Sequence, residues 1–463
     1  MFRFFSILFL CAVFLPRIEA QEWFPYVEAE GRVATDRNVV RGNIFAPVWQ
    51  SEDSFFFFDI RGLTTNEDAN EGNLGFGYRK LVGPDRLVGL FGYYDFRESE
   101  FGNQYHQGSL GAEVLSSKWG FRINGYLPQD NIDTVSALNA AILSGNNVFV
   151  RQGLEAAYWG ADIELERLLW SNTDNGKGGK APLKVAEFDA EWWASVGYFH
   201  FDQSDSRFES ISGPRARTEL RLWNLPLLGN DSRVMLTGQY EYDDVRGSVG
   251  TAGLSVRIPI GRYQSTAAPL SGIRRRMLES VVRDIDIVTN AGAFGDPERA
   301  KFARTGELIN GTVSVDGNTA DPEAVIEGAG DNSLVLASGG AGTIFPAGTI
   351  DMNTGQVILG GGSVIGVVGC DTGAHATFTA PGSRPSFRAD IIANFAGATN
   401  GSIIGVDFGS SLDGSLGLTL TNVNNFLADD VTISTLGINN QGSGITASKS
   451  QFTVVNSRII VPG

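Results

Sequence analysis

Between Glu187 and Gly261 the chain alternates apolar and polar residues with a period of two over four consecutive stretches. In the first, Phe188, Ala190, Trp192, Ala194, Val196 and Tyr198 fall on one face, opposite Asp189, Glu191, Trp193, Ser195 and Gly197. The second sets Ala216, Thr218, Leu220 and Leu222 against Arg215, Arg217, Glu219 and Arg221. The third sets Val234, Leu236, Tyr240 and Tyr242 against Arg233, Thr237, Gln239 and Glu241. In the fourth, Ala252, Leu254, Val256 and Ile258 oppose Gly253, Ser255 and Arg257. Side chains alternate across a strand, so each stretch predicts a strand with one greasy and one charged side. A soluble antiparallel sheet and a transmembrane barrel both satisfy this pattern. Length favours the barrel, because a tilted spanning strand needs about 9–11 residues. Arginine and glutamate along one row suit a water-filled or plugged lumen.

The same reading from Glu22 onward predicts strands at 24–34, 42–50, 53–63, 73–81, 86–96, 105–116, 118–127, 149–166, 187–201, 213–224, 231–242 and 247–258. That is twelve, and single-chain outer-membrane barrels have even strand numbers. Short breaks (Gly83–Arg86, Ser116–Lys118) alternate with longer ones (Thr64–Gly72, Gln129–Asn147), as expected for periplasmic turns and outer loops. The break Leu168–Ala186 is long where a periplasmic turn should be short.

Composition sharpens this picture. The 463 residues allow two or three domains, and the net charge of −16 argues against a nucleic-acid partner. All 8 Trp and all 11 Tyr lie at or before Tyr263, as aromatic girdles at the two membrane interfaces would require. Residues 1–20 read as a signal peptide: Arg3, then the apolar run Phe4–Leu15, then Ala20 before the cut. Cys11 would leave with it, so the mature chain keeps Cys370 alone and forms no internal disulfide. No later stretch has the roughly 18 apolar residues of a helical span, so a membrane location means a closed barrel.

Asn73-Leu74-Gly75-Phe76-Gly77-Tyr78-Arg79, Leu90-Phe91-Gly92-Tyr93-Tyr94-Asp95, Gly111-Ala112-Glu113-Val114 and Asn124-Gly125-Tyr126 resemble the inverse autotransporter β-domain, the barrel of intimin and invasin. Gly213-Pro214-Arg215-Ala216-Arg217 and Arg257-Ile258-Pro259-Ile260-Gly261 resemble later parts of it. The resemblance implies a 12-stranded outer-membrane barrel that carries its passenger C-terminally and displays it outside the cell by type V secretion. It also implies outer-membrane lipid, the barrel-assembly machinery and a host-cell or surface ligand as partners, with adhesion and virulence as the expected context. Between Gln21 and Arg37 there is no room for the peptidoglycan-binding module that some members carry there.

On this reading the chain is all-β. Its parts are a barrel at 21–263, a lumen-threading linker at 264–293 and a surface passenger at 294–463. Even strand parity puts both barrel termini in the periplasm, so a C-terminal passenger reaches the surface only through the lumen. Within the linker, Ile273–Arg283 can form a short helix and Asp284–Thr289 alternates like a strand. The linker resembles the family's in its arginine run, its Met and its Arg-Asp pair. Arg274, Arg275, Arg276, Arg283 and Asp284 are the candidate plug residues. Glu113, Glu155, Glu191, Glu219 and Glu241 are the candidate lumen partners, since charges in a partly dehydrated lumen need pairing. A solvated basic linker is the plainer alternative.

The tail is rich in Gly, Ser, Thr, Asn, Val and Ile. Short alternations at Ile404–Phe408, Val431–Ile433 and Phe452–Val454 recur about every 20–27 residues, the period of parallel β-helix rungs. Asn424-Asn425, Asn439-Asn440 and Asn456 suit rung corners. An Ig-like sandwich, which also has short strands, stays open. His106, His200 and His375 are scattered, with no zinc spacing and no nucleophile elbow, so neither a metal nor a cofactor is expected. Asp407, Asp429, Asp430 and Lys449 leave one enzymatic alternative, a barrel-anchored β-helix acting on polysaccharide as a lyase or hydrolase. Otherwise the reading is of a non-enzymatic display protein, an adhesin.

Overall fold

The computed structural model describes residues 22–129, 131–173, 188–261, 269–348, 350–388, 394–396, 399–410, 416–435 and 443–460. The expected signal peptide, residues 174–186 of the long break, linker residues 264–268 and Asn439-Asn440 lie outside the described residues. The chain divides into two compact units, one of residues up to 133 with 155–291, the other of 134–154 with 292 onward.

In the first unit, β1 (Tyr26–Ala34), β2 (Val39–Val48), β3 (Ser54–Thr65), β4 (Asn70–Leu81), β5 (Leu87–Glu98), β6 (Gln104–Leu115) and β7 (Trp119–Pro128) form an antiparallel meander. Next come β8 (Ile132–Ser144) and β9 (Asn147–Ala157), which stand outside the barrel wall. The wall resumes with β10 (Trp159–Ser171), β11 (Asp189–Asp202), β12 (Ile211–Trp223), β13 (Arg233–Asp243) and β14 (Gly247–Pro259). β7 pairs directly with β10, from Tyr126↔Gly160 to Trp119↔Arg167. β1 closes on β14, from Tyr26↔Pro259 to Ala34↔Thr251. The result is a closed barrel of twelve antiparallel strands.

Two sequence expectations change here. The stretch 149–166 is two strands divided at Tyr158, one outside the wall and one in it, and the break Gln129–Asn147 contains β8. Loop length also fails to distinguish the rims: β3 and β4 are joined by four residues, fewer than the five between β4 and β5 at the opposite rim. The strands run longer than their apolar rows suggest because the ladder continues through the polar rim residues.

The barrel is oily outside and charged inside. Leu74 (56% exposed), Leu90, Leu110, Val196, Tyr240 and Leu254 face outward, while Arg79, Arg97, Arg122 and Arg257 are buried. A soluble sheet has the opposite polarity, so the wall is built for lipid. The glycines of the Gly75-Phe76-Gly77 and Gly111 motifs now have a physical reason. They face the lumen, where a Cβ at Gly75, Gly77 or Gly111 would lie 2.2, 2.3 or 2.2 Å from the rings of Tyr93, Phe57 and Phe91. Small residues beside large ones let the inner layer fill.

After the linker come β15 (Thr289–Phe294) and β16 (Glu298–Phe302), followed by β17 (Thr312–Asp316), β18 (Leu334–Ser338), β19 (Val357–Gly360), β20 (Val364–Gly369) and β21 (His375–Thr379). β17, β18, β19 and residues 402–404, 426–429 and 452–455 form a six-stranded sheet whose neighbours are all parallel. Two further parallel sheets complete a β-solenoid of about five turns. Successive strands repeat every ~25 residues, as in Ile403↔Ala428↔Val454, except between β19 and 402–404, where β20 and β21 are inserted. Parallel pairing rules out the Ig-like sandwich, whose sheets are antiparallel.

Inside the solenoid, Val313, Val335, Ile358, Ile403, Ala428 and Val454 stack in one column. Phe387 lies over Phe408 in another, ring centroids 5.8 Å apart. The outer faces of β18 and β19 are buried too: Leu334, Leu336, Val357 and Leu359 pack against Val148, Val150, Ala300, Phe302, Val367 and Phe378 of a covering sheet. Burial on both faces explains why Leu334-Val335-Leu336-Ala337 and Val357-Ile358-Leu359 are unbroken apolar runs.

Candidate functional site

The chain crosses the barrel lumen between Leu270 and Val288. It starts at the rim that carries both barrel termini, where the Trp23 indole donates to the Arg274 carbonyl (3.2 Å) and Arg274 pairs with Glu22. A single turn of helix, α1 (Gly272–Arg276), leads in. The path then passes Arg79 at Met277, Arg61 at Val281 and Asp95 at Arg283. It reaches the opposite rim at Asp286, held by Arg37 (2.5 Å) and Arg97, and at Val288, whose carbonyl accepts from Tyr158 N–H (2.9 Å).

The expected helix over 273–283 is thus shorter, and 284–288 is not a strand. A closed wall has no free strand edge, so the extended segment finds no ladder to join. Its backbone groups must still be paired at membrane depth. Wall side chains do this. Arg79 donates to the carbonyls of Met277 (2.8 Å) and Glu279 (2.5 Å), Arg257 to Leu278 (2.8 Å), Arg61 to Val281 (2.8 Å) and Asn124 to Val282 (3.2 Å). In return Tyr126 Oη accepts from Asp284 N–H (2.7 Å) and Glu71 from Ile287 N–H (2.8 Å).

The linker charges are paired as well. Arg275 reaches Asp189 and Glu191 (3.1 Å to the latter), and Arg276 reaches Glu166 and Glu279 (2.9 Å to the latter). Arg283 binds both oxygens of Asp95, one at 2.8 Å, and Asp284 accepts from Arg215 (2.9 Å). Glu279 also meets Arg122 (3.1 Å) and Arg221 (2.8 Å). Aromatic faces support these cations: the Arg276 guanidinium lies 4.4 Å from the Trp193 ring centre and that of Arg283 4.7 Å from Tyr93.

Of the five carboxylates expected to meet the linker arginines, the structure brings only Glu191 to one. Glu113 pairs with the wall residue Arg79 (2.6 Å), and Glu219 with Arg217 (3.0 Å) and Arg221 (2.6 Å). Glu241 pairs with Arg215 (2.5 Å), which bridges it to Asp284. Glu155 accepts from Ser99 and Asn103, each at 2.8 Å. Wall arginines take three of these carboxylates first: Arg215 stands directly across the ladder from Glu241, Arg217 and Arg221 flank Glu219 on its own strand, and Arg79 reaches Glu113 across the intervening Gly89. Of the partners that sequence reasoning missed, Asp95, Glu166 and Asp189 lie on polar rows of the alternating strands, while Glu22 precedes the first strand. Beside the linker a polar cavity of about 250 Å³ remains, bounded by Arg32, Arg215, Arg217, Gln239 and Asp284. At roughly 30 Å³ per molecule it has room for water but not for a second polypeptide segment.

Arg384 bridges Asp407 (2.8 Å) and Asp430 (2.6 Å), and Asp429 accepts from Asn456 (2.9 Å). Lys449 and Asp430 occupy left-handed turn positions, φ 49° and 51°. Among the described residues no group of three or more His, Cys, Asp or Glu is placed to hold a metal ion.

Comparison with known proteins gives one family. The profile of the inverse autotransporter β-domain matches residues 25–165. No curated protein matches the chain. Among solved structures, a membrane protein from work on in-meso crystallization is 14% identical over 58% of this chain and 100% of its own (TM-score 0.41). The β-domain of the Bordetella autotransporter BrkA is 9% identical over 51% and 99% (TM-score 0.25). LpxR from Salmonella typhimurium is 10% identical over 51% and 100% (TM-score 0.28). Scores this low add nothing to the fold, which rests on the strand pairing itself. The wall is that of a twelve-stranded outer-membrane barrel with an oily exterior, and over residues 25–165, its first eight strands, it matches the inverse autotransporter β-domain.

Proposed function

We propose that the barrel anchors the chain in the outer membrane and displays the β-solenoid at the cell surface as an adhesin. The observation that carries this reading is the threaded lumen. Residues 270–288 run from the rim holding both barrel termini to the opposite rim, gripped along the way by wall side chains. A barrel inserted from the periplasm keeps its termini on that side, so the chain leaves on the outside. The ion pairs of Arg275, Arg276 and Arg283 make the linker a plug, and the full lumen argues against an open porin. The reading is non-enzymatic: Asp407 and Asp430, two of the carboxylates offered for polysaccharide chemistry, are both engaged by the same Arg384. Its partners are outer-membrane lipid, the barrel-assembly machinery and a host-cell or surface ligand.

Protease shaving of intact cells, read with an antibody against the solenoid, tests display. Cleavage on intact cells is expected. A solenoid protected until the outer membrane is ruptured reverses the orientation and ends the proposal. Adhesion is tested separately, by comparing binding of cells carrying the full chain and cells carrying the barrel and linker alone to host cells and coated surfaces. Equal binding removes the adhesin role and leaves display intact.

A further inference from the structure

The hairpin β8–β9 is encoded between two barrel strands yet packs entirely with the solenoid unit over residues 134–154. Its arms are joined by Gly145 (φ 57°) and Asn146. One edge of β9 is taken by β8. The other is taken by the first stretch of chain that follows the linker. Gly295 N–H donates to the Gln152 carbonyl (2.9 Å), and Val150 and Phe149 stand opposite Glu298 and Arg299 in antiparallel register. β16 then offers its far edge to β20, with Ala300 opposite Gly369, and β21 follows. At the hairpin tip the Asn146 carbonyl accepts from Thr312 N–H (2.8 Å), at the start of the first solenoid strand. Below this sheet, Val148 and Val150, both fully buried, pack with Leu334, Leu336, Val357 and Leu359 of the first turns.

We propose that the β8–β9 hairpin is the folding template of the solenoid: a preformed strand edge that captures residues 292–302 of the same chain and so seeds the first turns. The proposal rests on the display reading for its direction, because capture outside the membrane is what would draw further chain through the lumen. Three physical facts support it. A free β edge is an acceptor for an extended segment, and main-chain hydrogen bonds give such strand addition its affinity. A single solenoid turn cannot bury its own apolar face, so the first turn needs a partner surface before a second exists. Here that partner is a short hairpin with local contacts, which forms far faster than parallel pairing over long separations. Once β16 is docked, every later element adds to an edge already in place.

The test uses the full chain in the outer membrane of a Gram-negative host. Val150→Asp puts a charge into the buried contact. After a pulse of synthesis, barrel assembly is read by heat-modifiable gel mobility, and solenoid folding by the rate at which residues 292–460 become protease-resistant. Normal barrel assembly with at least a tenfold slower gain of resistance is expected. Resistance at the parental rate overturns the template. A second variant covers the case in which Val150→Asp prevents assembly altogether. In Phe149→Cys/Arg299→Cys, with Cys370→Ser to remove the free thiol among the described residues, a disulfide can form only when β16 has docked on β9. The cross-link is expected to precede protease resistance of the later turns. A cross-link that appears after them, or never, refutes seeding. The order is read on lysed cells as well as intact ones, so a solenoid retained inside the cell defeats display without deciding the template.

Discussion

Replacing Arg276 by methionine isolates the strength of the lumen plug. Arg276 is buried, pairs with Glu166 and Glu279, and donates to the carbonyls of Ser116 (2.8 Å) and Trp119 (3.0 Å). Methionine keeps the stem packed on Trp193 but leaves two carbonyls without this donor and two carboxylates short of a cation. Breaking a buried pair from one side costs about 3–5 kcal/mol. Arg274, one residue pair away in the same helix, is the internal control: its side chain is 41% exposed and its partner Glu22 33%, so the same change costs about 0–1 kcal/mol. The difference of roughly 3 kcal/mol corresponds to about a hundredfold in the ratio of plugged to open barrels, at 1.4 kcal/mol per decade. Single-channel recording of the reconstituted full chain measures that ratio, once gel mobility shows both variants assembled. Open time at least a hundredfold greater in Arg276→Met than in Arg274→Met is expected. Equal open times in the two variants refute the plug, whatever their absolute value.

Gly77→Val places side-chain atoms where the Phe57 ring stands, 2.3 Å from an ideal Cβ, and should lower barrel stability by about 1–3 kcal/mol, read as a lower midpoint in heat-modifiable mobility. Ile403→Ala, fully buried in the solenoid column, should cost about 2–5 kcal/mol and lower the heat midpoint of protease resistance in residues 292–460 while the barrel midpoint stays put. Glu298 gives a pH dependence. Burial raises its pKa, but hydrogen bonds from the Thr372 hydroxyl and from the N–H groups of Thr372 and Asp371 outweigh this and hold it below the ordinary 4.5. Its contribution is therefore complete above pH 4.5 and is lost as pH falls through the lower native value. Solenoid melts between pH 6 and pH 3 should show that loss, and Glu298→Gln should flatten it at a cost of about 1–3 kcal/mol. An unchanged pH profile in Glu298→Gln excludes this carboxylate as the source.

Much of the barrel was legible because lipid and lumen impose a strict period of two, so Trp192, Val196 and Tyr198 separate from Asp189, Glu191 and Ser195 without any tertiary information. The lumen contacts were legible only as rows. Alternation places Glu113, Glu191 and Glu219 inside, but which arginine meets which carboxylate depends on stagger between strands, and that is a property of closure rather than of any one strand. Sequence alone shows the hairpin as loop plus strand because alternation continues from Val148 and Val150 across Tyr158 into β10. The two-residue Gly145-Asn146 turn between apolar arms was the available signal. The linker strand failed for a different reason: Asp284–Thr289 has the right alternation but no neighbour with a vacant edge. In the solenoid the period shows in Phe408 and Ile433, which stack on one sheet, whereas Phe452 stacks on Phe426 of another; the doubly buried runs Leu334–Ala337 and Val357–Leu359 carry no alternation that would reveal which face belongs to which layer.

The outward-pointing column of the six-stranded solenoid sheet reads Leu336, Leu359, Ile404, Asp429, Val455. Its first two members are sealed beneath the second layer, and a carboxylate appears two positions further on. The proximal turns are therefore committed on both sides, while by Val455 the outward face is open. Gain or loss of whole repeats is tolerable at that distal end alone, so the number of turns can change without rebuilding the base.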